Sequence, residues 1–145
     1  MSIVTDPNGA LALSRGLYDM LAGSVIVQSQ LGDPPRLYDS APEDPIFPYL
    51  TYGPLRSEDN SAEGSIITAH IQSLHLWSRY AGRAEMLSLI GMVSGELLRG
   101  PLNVDGLTII NRHILLTDIF RAADGLTLHG VIRFRVSTEH ELETL

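Results

Sequence analysis

Leu128-His129-Gly130-Val131-Ile132-Arg133-Phe134-Arg135-Val136 is the stretch on which the fold turns. Leu128, Gly130, Ile132, Phe134 and Val136 share one phase of a two-residue period; Thr127, His129, Val131, Arg133 and Arg135 share the other. That is the signature of a strand with one face in a core. Asp124-Gly125 suits the positive dihedrals of a tight hairpin turn. The segment before it, Leu107 to Phe120, is also strand-like, with Ile110, Arg112, Ile114 and Leu116 in one phase. Residues 107–136 therefore read as one long β-hairpin. A two-residue turn sets His129 opposite Phe120 and His113 opposite Val136, so these two histidines do not meet.

Working outward, Ser65–Ser78 is a long strand that is partly apolar in both phases, with Ile66, His70, Leu74 and Leu76 in one and Ile67, Ile71, His75 and Trp77 in the other. Such a strand is covered on both sides, by helices on one and by a neighbouring subunit on the other. Phe47–Gly53 reads as a strand and Arg36–Ser40 as a short one. Residues 54–64 are polar and acidic and read as a loop whose removal over 56–62 spares the fold. Leu13, Leu17, Met20 and Leu21 form a helical stripe after Asp6-Pro7, giving a helix over 7–22. Met86, Ile90, Val93 and Leu97 define a second helix over 82–99, stopped by Gly100-Pro101. Val25 to Leu31 adds a short turn of helix, and Gly91 and Gly95, four apart, permit close approach of the second helix to a sheet. The order α-β-β-β-α-β-β implies an α+β domain over residues 1–136, a mainly antiparallel sheet with two helices packed on one face. Residues 137–145 read as an acidic C-terminal tail.

The 145 residues amount to one domain, and 44% hydrophobic with 19% charged residues is a globular composition. The absence of cysteine excludes disulfides, zinc–thiolate sites, iron–sulfur clusters and thiol nucleophiles. A net charge of −7 argues against a protein that grips duplex DNA through its phosphates. No apolar run reaches the length of a membrane span, and Met1 to Asp6 show no basic, apolar leader, so a soluble cytoplasmic product is expected. All ten basic residues are arginine. Residues 1–64 carry −6, residues 65–136 carry +2 and the tail −3. Complementary edges of identical subunits would use such a split, and an ordinary solvated surface accommodates it equally.

No catalytic, cofactor or metal constellation is legible. Gly91-Met92-Val93-Ser94-Gly95 has the wrong spacing for a nucleophile elbow and sits in mid-helix. The five histidines show no convergence. The side chains that stand out suit interfaces: Trp77 and Arg79 at a strand end, Arg133 and Arg135 on one strand face, and Arg56, Glu58, Asp59 and Glu63 in the acidic stretch. These eight are the candidate assembly-interface residues.

Three segments resemble one family. Phe47-Pro48-Tyr49-Leu50-Thr51-Tyr52-Gly53 is similar to its "FPY" strand; Leu74-His75-Leu76-Trp77-Ser78-Arg79 followed by Gly82-Arg83-Ala84-Glu85 to its strand ending in tryptophan-serine and glycine-arginine helix start; and His129–Arg135 to its closing strand. The family is the tail-completion, or tail-terminator, family of long-tailed phages and bacterial gene transfer agents, and the gene-transfer-agent branch looks most similar. The resemblance spans about residues 10–136. It implies a structural, non-enzymatic virion protein without cofactors. It further implies a homohexameric ring at the head–tail junction, assembled in the host cytoplasm. The ring caps the head-proximal end of the tail tube, contacts the tube protein and the head-side connector, and lets DNA pass unbound. The alternatives are another head–tail joint component or a small-molecule-binding α+β domain.

Overall fold

The computed structural model describes Asp6 and residues 8–141. Its elements are α1 (Ala10–Ala22), α2 (Val25–Leu31), β1 (Leu37–Tyr38), β2 (Tyr49–Asp59), β3 (Ser65–Ser78), α3 (Ala84–Arg99), β4 (Thr108–Arg121) and β5 (Leu128–Glu141). The α+β class holds, and the short helical turn at Val25–Leu31 is a third helix whose first turn is capped by the Ser24 hydroxyl, accepting from the Val27 N–H at 3.3 Å. Pro7, part of the expected helix start, lies outside the described residues. The Asn8 side-chain oxygen accepts from the Ala10 N–H instead, at 3.1 Å, and Gly9 precedes the helix with φ 73°.

The sheet order is β1-β2-β3-β5-β4; every pair is antiparallel except β1 with β2. β3 pairs with β5 from Ser65↔Glu141 to Ser78↔Leu128 without a break. This register puts His70, Leu74, Leu76, Ile132, Phe134 and Val136 on one face, all fully buried. The helices cover that face: α3 lies on β3, β4 and β5, and α1 and α2 lie against α3. The two helical stripes read in the sequence are the buried ones, Leu13, Leu17, Met20 and Leu21 in α1 and Met86, Ile90, Val93 and Leu97 in α3, with Leu89 added. Among the described residues, no helix lies on the other face of the sheet.

Four expectations need correction. The 54–64 stretch is a loop only from Asn60 on: β2 continues through Asp59, so Arg56, Glu58 and Asp59 pair with Ile71, Ala69 and Thr68 of β3, and deleting 56–62 would remove strand. The reason is tertiary. Ser57 donates its hydroxyl to Nδ1 of buried His70 at 2.7 Å, while His70 Nε2–H donates to the Asn8 carbonyl oxygen at 2.8 Å. The closing strand passes Val136 and ends at Glu141, with Ser137 and Thr138 buried; residues 142–145 of the acidic tail lie outside the described residues. In β4 the single phase expected for Ile110, Arg112, Ile114 and Leu116 is broken by register shifts at Ile109/Asn111 and Ile114/Leu116. Ile109, Arg112 and Ile114 face the helices, Leu116 the open side, and His113 lies opposite Arg135 rather than Val136. Finally, Gly91 and Gly95 do not face the sheet: a Cβ on Gly91 would meet nothing within 4 Å, and one on Gly95 would meet only Arg99. The close approach is at Gly130 of β5, where a Cβ would lie 2.5 Å from Sδ of Met86.

Arg112 ties β4 to α3. Its Nη1 donates to the carbonyl oxygens of Gly100 at 2.7 Å and Leu97 at 3.3 Å, where the last turn of the helix leaves acceptors unpaired and the dipole is negative. We expect Arg112→Met to lower the unfolding free energy by about 2 kcal/mol, the scale of charge-assisted hydrogen bonds. Urea titration should show a lower midpoint at unchanged slope, and an unchanged midpoint would refute the capping role.

Candidate assembly surface

The uncovered face is organised in rows by the strand register. At one end, Tyr49, Trp77, His129 and Phe120 lie side by side across β2, β3, β5 and β4. The next row is Thr51, His75, Val131 and Asp118; then come Ser73, Arg133 and Leu116; then Arg56, Ile71, Arg135 and His113; then Glu58, Ala69, Ser137 and Asn111. The face is thus aromatic at one end, arginine-bearing in the middle and acidic at the other.

In the aromatic row, the rings of Trp77 and His129 stack with centroids 3.9 Å apart, and Phe120 lies 4.5 Å from His129. Trp77 Nε1–H donates to Thr51 Oγ1 at 3.0 Å, which fixes the indole on the face. His75 and His129 meet across β3 and β5: Nδ1 of one and Nε2 of the other are 2.7 Å apart, so one ring nitrogen donates its proton to the other. The reading of the histidines as unconverged missed this pair, because it rests on the β3–β5 register, and sequence set only the hairpin register. Burial lowers the pKa of both rings, and the neighbouring His75 lowers that of His129 further. His70, on the helix face, is lowered by burial as well.

Trp77 and Arg79 both line a cleft of about 340 Å³, together with Phe47, Tyr49, Asp124 and Thr127. The Arg79 guanidinium lies 4.3 Å above the Phe47 ring, its Nε donates to Thr127 Oγ1 at 3.1 Å, and it faces the Asp124 carboxylate at 3.6 Å. Asp124 accepts from the Thr127 hydroxyl at 2.7 Å and from the N–H groups of Thr127 and Leu126, each at 2.8 Å, which holds its pKa down at about 2. Arg79 thus clamps the 41–47 segment to the β4–β5 turn. Ile46 and Leu126, about two-thirds exposed at 68% and 67%, flank this end.

The other candidates lie elsewhere. Arg56 and Glu58 form an exposed ion pair at 2.8 Å, and Asp59 accepts from the Ser61 N–H and hydroxyl at the turn into β3. Glu63 is exposed in that turn. Arg133 and Arg135 stand half-buried mid-face, and the Nε atoms of both are buried without an acceptor among the described residues. The eight candidates therefore form three groups rather than one site: Arg56, Glu58, Trp77, Arg133 and Arg135 lie on the uncovered face, Asp59 is in the helix-facing phase opposite Thr68, and Arg79 and Glu63 lie beyond the strand ends. Among the described residues, no three histidine, aspartate or glutamate side chains gather to hold a metal ion.

Comparison with known proteins shows the family. Residues 15–139 match the family described as tail completion protein gp17. The chain belongs to that family. It is 30% identical over 103 residues to the tail completion protein gp17 of Bacillus phage SPP1, covering 69% of this chain and 74% of that protein. Its fold matches a chain of the virion of a native gene transfer agent particle, with TM-score 0.81, 21% identity, and coverage of 92% of this chain and 99% of the other. It also matches the structure of the SPP1 gp17 protein, with TM-score 0.60, 20% identity, and coverage of 99% and 98%. This tail completion protein is a structural virion component that works among other tail proteins, not an enzyme.

The histidines give a signed pH dependence. All three shifted rings have folded pKa values below the ordinary 6.5. Stability is therefore full above about pH 6.5, falls as pH drops through the window where the unfolded chain takes up protons first, and levels off below the folded values. We expect the urea midpoint to fall between pH 7.5 and 5.5, and to fall less in His75→Gln/His129→Gln. Equal falls in both proteins would show that the pair does not titrate as described.

Proposed function

We propose that this protein is the terminator of a phage-like tail. Six copies form a ring on the head-proximal end of the tail tube, stop further addition of tube subunits and present a seat for the head-side connector. Family membership carries the reading; the fold shared with a chain of a native gene transfer agent particle supports it and favours such a particle as the setting. The surface is compatible with it. A subunit in a head-to-tail ring needs two different complementary patches, and this chain has an aromatic end with Trp77 and Arg79, an acidic end with Glu58, Asp59 and Glu63, and Arg133 and Arg135 between them. The last two can meet carboxylates of a neighbouring copy. A net charge of −7 lets DNA pass a central channel without being held.

The test is tube length. Tube protein from the same particle, polymerised with and without this chain, is measured by negative-stain electron microscopy. We expect short tubes bearing a density at one end when the chain is present. Tubes of unchanged length with no end density would overturn the reading. Glu58→Gln/Asp59→Asn/Glu63→Gln, all at exposed positions, should fold normally yet raise the protein concentration needed for capping several-fold; wild-type capping would remove the acidic end from the interface.

A further inference from the structure

We propose that the two open edges of the sheet pair with each other between copies of this chain: the β4 edge of one subunit takes the free half of β2 of the next, and the sheet continues antiparallel around the assembly. This rests on the ring reading and names the contact that closes it.

β4 is the outermost strand: among the described residues, along its 14 residues it has β5 on one side and no strand on the other. A long edge of unpaired N–H and C=O groups is a template for another chain, and natural proteins blunt it with charge, proline or a covering element. Among the described residues no strand or helix covers it. Ile110, Leu115, Leu116 and Phe120 all lie on it, each 44–46% exposed. The opposite edge is half open too. β1 pairs only with Leu50 and Thr51, so among the described residues Leu55–Asp59 has β3 on one side and no strand on the other.

Topology selects the occupant. β2 is antiparallel to β3, β3 to β5 and β5 to β4, so β2 and β4 run in opposite directions. A neighbour related by rotation about an axis along the strands brings its β2 antiparallel to β4, with no reversal of the chain. Height agrees with it: rotation about that axis keeps each row level, so Glu58 and Arg56 of one copy come level with Asn111 and His113 of the next, and no like charges are opposed there. The bulges fit the same geometry. They divide β4 into regular stretches, Asn111–Ile114 and Leu116–Arg121, and bulges bend a strand and increase its twist, as a sheet that curves around a ring requires.

The chain has no cysteine, so introduced pairs report the contact directly. Arg56→Cys is combined in turn with Asn111→Cys, His113→Cys, Leu116→Cys and Asp118→Cys. All five positions are exposed, and all face the uncovered side. Each double variant is oxidised at high concentration and at tube ends and run on a non-reducing gel. We expect one pairing to give a ladder of linked chains reaching six, while each single variant stays monomeric. Efficient dimers from His113→Cys or Leu116→Cys alone would mean that β4 meets β4, which overturns the proposal. A six-chain species by light scattering with no ladder from any pair overturns edge pairing and leaves the ring intact. No assembly in solution or at tube ends removes the ring itself and the edge contact with it.

Discussion

The unbroken pairing of β3 with β5, from Ser65↔Glu141 to Ser78↔Leu128, is the constraint on which the rest depends. Because the side-chain period of a strand is two, this one register decides which residues face α3 and which face away. A slip of β5 by one residue would expose Ile132, Phe134 and Val136 and bury Arg133 and Arg135. Burying an arginine without a partner costs far more than the core gains from one extra apolar contact. The arginines on alternate positions of β5 therefore enforce the register as firmly as the apolar residues between them. Gly130 contributes from the helix side, since it lets Met86 and Ile90 of α3 approach the strand.

Once that register is set, the three helices suffice for one face only. The other face is left with an aromatic row, a histidine pair and three arginines, and the two sheet edges with unpaired backbone. For a chain that works alone this would be an aggregation liability. For a subunit of a closed assembly it is the stock of contacts that assembly consumes. The same arrangement separates the ends: Arg79 fastens the aromatic end through Phe47, Thr127 and Asp124, and the acidic end is a turn between two long strands. A protein that joined two different partners along one axis, as proposed, would need ends of different chemistry, and the polarity of this face comes from the sequence of β2, β3 and β5 read along their length.

Much of this was legible in the residues. The Leu and Met stripes of α1 and α3 follow the helical period because each helix has a single buried face, and β5 alternates cleanly because its neighbours on both sides keep it in register. What was hidden depends on contacts distant in sequence. Arg56-Ser57-Glu58-Asp59 has no strand pattern of its own; it is extended because β3 lies beside it and His70 takes the Ser57 hydroxyl. The phase of β4 was misread because two bulges shift it, and Ile110 and Leu115 look like core residues until the shift is known. The proximity of His75 and His129 required a register between strands separated by α3 and β4. The family resemblance, by contrast, lay in short segments at Phe47–Gly53, Leu74–Glu85 and His129–Arg135, which hold the turn, the Trp77 end and the core alternation.

The most direct test of the central claim, that one uncovered face and two open edges belong to a closed ring of identical subunits, is native mass spectrometry of the protein alone and on short tail tubes. The account predicts a closed species of six chains of 15.9 kDa, about 95 kDa, at high concentration or released from tube ends, with no larger series. A dimer as the end state in both settings, or a chain that remains monomeric even on the tube, would contradict it.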